Sequence, residues 1–173
     1  MGIAADLGYV LPRPNAGQRA MQAVGSTRAG AWVLARVLPA TDRGVARLTR
    51  GRTTLSGGVS GLPTLVLSTT GRRSGRVREA QLIGVPVGDG LALLGTNFGQ
   101  NRTPTWVLNL EADPRASVSY RGVTCDVVAR AVTEAERPEV LGRAVAVYPG
   151  YARYLARVRG REVRVLILER ADQ

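Results

Sequence analysis

The sequence predicts an α+β domain built on mostly antiparallel strands, and three observations predict it. From Leu62 onward, apolar runs of strand length recur between turns marked by glycine, as at Gly88-Asp89-Gly90 and Arg121-Gly122. Helical signals occupy the N-terminal third and the intervals between later strands. At 173 residues and 45% apolar composition, the chain can bury one core without disulfides or metals. Five or six strands with intervening helices suggest a small β-barrel or an α+β sheet.

Residues 1–15, with Gly8, Pro12, Pro14 and Asn15, read as an arm. Residues 16–50 read as helical, with interruptions expected at Gly25, Gly30 and Pro39 and a second helix capped by Asp42. Gly57, Gly58 and Gly61 mark a loose connection, which places a boundary near residue 60 between a helical segment (1–60) and a strand-rich domain (61–173). Leu62–Ser68 and Val77–Val87 form the first strand pair, and Leu91–Gly95 follows the tight turn. After a loop over 96–102, Thr103 and Pro104 read as N-cap and first residue of a helix through Trp106 to Leu110. Ala116–Tyr120 and Val123–Val132 make a hairpin. Thr133 and Glu136 form a capping box that opens a helix to Val147, Pro149 starts another helical turn, and Val163–Leu168 is the last strand.

The net charge of +11 is unevenly spread. Residues 1–78 hold 12 arginines against Asp6 and Asp42, whereas residues 79–173 hold 12 arginines against 11 acids. An anionic partner for the first half follows. All 24 basic residues are arginine; without lysine or histidine there is no P-loop lysine, Schiff base, Ser-His-Asp triad or imidazole metal ligand. Cys125 stands alone in an alternating run and reads as a packed strand residue, in keeping with a reduced, intracellular setting. No signal peptide is expected, because the first fifteen residues lack an apolar core. Ala20–Ala40 carries Arg28 and Arg36 and reads as amphipathic helix rather than a membrane span. Residues 40–80 contain no aromatic residue, so no stacking platform accompanies the arginines and nucleic acid is not the expected partner.

Three constellations bear on chemistry. Thr69-Thr70-Gly71-Arg72-Arg73-Ser74-Gly75-Arg76-Val77-Arg78 is a glycine-bounded turn with four arginines. Guanidinium forks donate in pairs to phosphate and carboxylate oxygens, so this is either an anion site or a solvated hairpin tip. Gly95 to Trp106 concentrates small polar residues before a helix N-terminus, which suits a polar ring or else an ordinary connection. Tyr148, Tyr151 and Tyr154 recur at intervals of three, about 60° apart per step on a helix, as an aromatic-binding face or a core stripe.

Together these segments resemble the deazaflavin-dependent nitroreductases, the Ddn-like group of actinobacterial coenzyme F420-dependent quinone reductases. The likeness runs from Leu62 to Leu168 and is carried by Leu65 to Gly75, by Asn97-Phe98-Gly99-Gln100 with Pro104-Thr105-Trp106 and Asn109-Leu110, and by Tyr148 to Tyr154. It implies a split β-barrel of the FMN-binding type holding coenzyme F420. The phosphate and oligoglutamate tail would meet Arg72, Arg73, Ser74, Gly75 and Arg78. The ring would lie against Leu82, Gly95, Thr96, Asn97 and Phe98, on through Pro104, Trp106 and Asn109. Thr96, Tyr148, Tyr151 and Tyr154 would face a quinone, nitro or activated-alkene acceptor as catalytic residues. Glu79-Ala80-Gln81-Leu82 departs from the group's usual Thr-Thr-Pro-Leu and adds a negative charge beside the tail. The expected protein is a cytoplasmic oxidoreductase, with peripheral contact at the inner face of the membrane through residues 16–50 and a homodimer as further expectations. A flavin-binding enzyme on the same barrel, or a non-catalytic binder of the coenzyme or an anionic surface, remains the alternative.

Overall fold

The computed structural model describes residues 2–12, 14–31, 33 and 62–171. Its elements are α1 (Ile3–Asp6), α2 (Ala16–Gly25), β1 (Leu65–Thr70), β2 (Val77–Leu82), β3 (Val85–Val87), β4 (Gly90–Leu94), a 3₁₀ turn (Asn97–Gly99), α3 (Thr105–Ala112), β5 (Arg115–Tyr120), β6 (Val123–Ala131), α4 (Arg137–Val147), α5 (Gly150–Arg157) and β7 (Val165–Arg170). The predicted interruption at Pro39, the Asp42-capped helix and the glycine connection lie outside the described residues, as does most of the stretch expected to touch a membrane. Among the described residues no helix is long and apolar enough to cross one.

All seven strands form one antiparallel sheet in the order β2-β1-β5-β6-β7-β4-β3. The two edge strands, β2 and β3, are consecutive in sequence and separated only by Ile83-Gly84. The sheet therefore curls until its edges approach, which is the split barrel. The run Val77–Val87, expected as one strand, is two strands meeting at this corner. Gly84 has no room for a side chain there, since a Cβ would lie 2.8 Å from Leu65 Cδ2. The Tyr9 hydroxyl closes the corner, lying 2.9 Å from the Pro63 carbonyl and 3.0 Å from that of Gly84 while accepting the Gly84 N–H at 3.0 Å.

Strand alternation divides the interior in two. Leu91 and Leu93 of β4 and Leu166 and Leu168 of β7 join Leu65, Leu67, Val118, Val127 and Trp106 on one face. Ala92, Leu94, Val165 and Ile167 face the other way, against Val140, Ala144 and the three tyrosines of α4 and α5. β4 is covered on both faces, so all five of its residues are buried and its sequence reads as an unbroken apolar run. The expected arm is not free of the barrel: Ile3, Leu7 and Tyr9 are buried in the first cluster, and Asp6 pairs with Arg170.

Several boundaries move. Pro104, rather than Thr103, is the N-cap of α3. Thr133 and Glu136 exchange the expected capping bonds, yet the helix begins only at Arg137, where Pro138 suits the first turn. Gly25 ends α2 as expected, whereas Gly30 lies within helical backbone. A Cβ at Gly30 would meet the Val24 carbonyl, so the glycine is needed where this turn folds back on α2.

Candidate functional site

The basic turn is built from its glycines. Gly71 N–H donates to the Arg76 carbonyl at 2.9 Å, and its own carbonyl accepts from Ser74 N–H at 3.0 Å and Gly75 N–H at 2.7 Å. Gly75 takes φ +63°, a left-handed conformation glycine adopts without cost. Arg72, Arg73, Ser74, Gly75, Arg76 and Arg78 are all exposed. Glu79 neighbours Arg78 on β2, where successive side chains project to opposite faces, so its charge points away from that of Arg78.

Asn109 holds the turn in place. It is 1% exposed; its amide nitrogen donates to Thr69 Oγ1 at 3.0 Å and its oxygen accepts the Arg72 N–H at 3.2 Å. Thr69, itself 2% exposed, donates onward to the Arg78 carbonyl at 3.3 Å. Asn109 sits four residues into α3, about 6 Å along the helix axis from Thr105. The helix that follows the polar loop is thus the helix that braces the basic turn.

The polar loop leaves β4 through Gly95 and Thr96, both buried. A Cβ on Gly95 would lie 3.0 Å from Val107 Cγ2 and 3.1 Å from the Arg164 carbonyl, so the strand end packs directly on α3. Asn97, Phe98 and Gly99 take φ of 47°, 57° and 79°. Asn97 donates its amide to the Arg102 carbonyl at 3.0 Å, and the Phe98 ring meets Tyr154 edge-on at 6.1 Å. Thr96 is 4% exposed and its hydroxyl has no hydrogen-bond partner among the described residues. Leu82 and Trp106 pack with the first core cluster, and Pro104 caps α3. A cavity of about 500 Å³ lies beside the loop, lined by Arg28, Ala31, Phe98, Gly99, Gln100, Asn101 and Arg157.

The tyrosines do not share one helix. Tyr148 is the extended residue that ends α4, and only Tyr151 and Tyr154 belong to α5. They nonetheless cluster, every pair edge-on with ring centroids 5.4–6.3 Å apart, and each is 6% exposed or less. Their hydroxyls differ. Tyr154 donates to the Gly25 carbonyl at 3.3 Å, which leaves Tyr148 to donate across the 3.2 Å contact to Tyr154. The Tyr151 hydroxyl has no hydrogen-bond partner among the described residues. Burial raises all three phenol pKa values, so each hydroxyl keeps its proton through the neutral range.

Three arginines that sequence reasoning did not single out organise this end. Arg153 donates to the Ala23 carbonyl at 3.1 Å and Ser26 Oγ at 2.9 Å, and Arg157 donates to the carbonyls of Ser26 and Thr27. The end of α2 is thereby clamped over the tyrosines. Arg161 holds the polar loop, donating to the carbonyls of Gly95, Thr96 and Gln100. No sequence signal separates these from the other arginines between 153 and 164, because their targets, main-chain carbonyls and the Ser26 hydroxyl, are distant in sequence.

The family model for the F420H(2)-dependent quinone reductases matches residues 42–170. A solved F420-H2 dependent reductase is 32% identical, covering 62% of this chain and 94% of its own, with a TM-score of 0.56. A structure described as a domain-swapped dimer is 31% identical over 73% of this chain and 95% of its own, with a TM-score of 0.58. A protein of unknown function from Agrobacterium tumefaciens is 22% identical over 64% of this chain and 49% of its own; at a TM-score of 0.52 it shares the fold.

Proposed function

The chain belongs to the F420H(2)-dependent quinone reductase family, and from that premise we propose that the basic turn takes the anionic tail of coenzyme F420 while the loop from Gly95 takes its ring. The protein is an F420-dependent oxidoreductase acting on a quinone-like acceptor. The brace at Asn109 carries the site assignment: one buried amide ties the basic turn to the helix that the polar loop leads into.

The residues present fit the coenzyme. Among the described residues no carboxylate pairs with Arg72, Arg73, Arg76 or Arg78, so their guanidiniums are available to a phosphate and several carboxylates. Gly95 lets the end of β4 seat on α3 without a side chain, and the Thr96 hydroxyl, without a partner among the described residues, offers a donor or acceptor beside it. When bound, the reduced deazaflavin supplies a hydride from its C5 to the acceptor. The chain's task is to orient the two and to stabilise negative charge arising on the acceptor oxygen. Tyr151 suits that second role best of the three tyrosines, because its hydroxyl proton is not committed to an acceptor among the described residues. The hydroxyls of Tyr148 and Tyr154 are, through the chain that ends on Gly25.

Titrating the purified protein with F420 beside FMN tests the coenzyme assignment: saturable binding of F420, at least tenfold tighter than FMN, is expected, and equal or reversed affinity would overturn it. Tyr151→Phe is expected to lower kcat/KM at least tenfold with F420 affinity unchanged, and Tyr148→Phe to lower it less. The reverse order removes Tyr151 from the role.

A further inference from the structure

Some arginines of the C-terminal half pair with carboxylates and others bond main chain; Arg161 belongs with Arg153 and Arg157 to the second group and is the one that holds the polar loop. Arg130, Arg137, Arg143, Arg164 and Arg170 each pair with a carboxylate. Arg161, half-buried between α5 and β7, pairs with none among the described residues. Its Nη2 instead donates to three main-chain carbonyls of the polar loop, Gly95 at 3.1 Å, Thr96 at 3.3 Å and Gln100 at 2.9 Å, while Nη1 reaches the Glu162 carbonyl at 3.3 Å. Its Nε is buried and has no hydrogen-bond partner among the described residues. Burial, with Arg164 nearby, lowers the guanidinium pKa, yet the group stays charged at any physiological pH.

Three carbonyl oxygens converging on one point repel one another unless a donor sits at the focus. The loop between them runs through three successive left-handed residues, two of which carry side chains. Such a conformation persists only where surrounding contacts over-determine it. Short-range bonds shape the turn itself: Asn97 to the Arg102 carbonyl, Gly99 N–H to the Thr96 carbonyl and Gln100 N–H to that of Asn97. The Arg164 carbonyl accepts the Gly95 N–H, and the Asn101 side chain accepts the Arg159 N–H. Arg161 is the side chain that spans from Gly95 and Thr96 to Gln100. Lysine would not serve equally, because its single ammonium cannot hold the three loop carbonyls from one nitrogen and the Glu162 carbonyl from another, as Nη2 and Nη1 do.

We propose that Arg161 is the positioning residue of the coenzyme-ring loop, a guanidinium that locks Gly95, Thr96 and Gln100 into the one arrangement able to receive the ring. The inference rests on the reading that this loop is the ring site. Arg161 touches neither acceptor nor ring; it acts through the loop backbone.

The test uses the full chain as Arg161→Ala and Arg161→Lys, with Arg164→Ala as a neighbouring control. Three quantities are read: amide hydrogen exchange at 96–101 without coenzyme, F420 affinity by its fluorescence, and steady-state turnover. Arg161→Ala is expected to raise exchange over 96–101 at least tenfold, weaken F420 at least tenfold and lower kcat, with the acceptor KM changed less than threefold. Arg161→Lys is expected to recover only part of each loss, and Arg164→Ala to show none. Exchange within twofold of wild type in both Arg161 variants overturns the inference, whatever happens to affinity. A loosened loop with unchanged F420 affinity also overturns it, and Thr96→Ala with Asn97→Ala then locates the fault. If these two weaken F420, Arg161 alone was misassigned; if they do not, the loop is not the ring site. Should Arg161→Ala not fold, Arg161→Lys carries the same three readings.

Discussion

The arginines of the basic turn and those of the C-terminal half are chemically identical but differently employed. Between Arg130 and Arg170, five guanidiniums are committed to carboxylates, Arg130 to both Glu136 and Glu169 at 2.7 Å. Between Arg72 and Arg78, four stand exposed within seven residues with no carboxylate partner among the described residues. Four like charges packed so closely repel one another and add nothing to stability. On the proposed assignment of the turn to the coenzyme tail, the difference separates charge used to build the fold from charge held for a ligand.

The most severe way to break the comparison is to remove the free charge. Arg72→Ala/Arg73→Ala should weaken F420 about 100-fold or more, since each charge-assisted bond is worth about 1.5–3 kcal/mol. The thermal midpoint should hold or rise slightly, and the wild-type affinity should fall steeply with added salt while the variant's falls less. Unchanged affinity would return the turn to a solvated hairpin tip.

Next comes the brace. Asn109→Ala leaves a buried Thr69 hydroxyl and the Arg72 N–H without their partner, at a cost of about 1–3 kcal/mol in stability by chemical denaturation. F420 affinity should fall with it, because the turn loses its anchor. If stability drops while affinity holds, the turn does not depend on α3.

The smallest effect sharpens the other side. Salt bridging to Arg130 and hydrogen bonds from Thr133 hold the Glu136 carboxyl at a pKa of about 2. A depressed native pKa gives stability that is present above the ordinary carboxylate value and lost as pH falls toward 2. Arg130→Ala should therefore flatten the decline in stability between about pH 4.5 and 2 while leaving F420 affinity within twofold of wild type. A variant that lost coenzyme affinity would show that the paired arginines also serve the ligand.

How much of this was legible in sequence follows from the range of each interaction. The hairpin turns at Gly88-Asp89 and Arg121-Gly122 rest on local backbone preference, and they stand where the sequence places them. The corner at Gly84 was invisible because its causes, Tyr9 and Leu65, lie 75 and 19 residues away. The capping bonds of Thr133 and Glu136 formed as expected, but Arg130 also claims Glu136, and the helix starts beyond them. In the site, the basic turn and the tyrosines announce themselves by composition. Arg153, Arg157 and Arg161 do not, for they bond mostly main-chain carbonyls far away in sequence.

The Tyr9 hydroxyl gives the first dozen residues a standing that their proline and glycine content conceals. It satisfies the donor and the acceptor of Gly84 at the corner between the sheet's two edge strands, from a segment that also plugs the barrel with Ile3 and Leu7. A shortened chain beginning past residue 12 would leave that seam unstitched and the barrel uncorked. Any experiment that trims the N-terminus to ask what the helical segment does must therefore delete from the middle and keep the beginning.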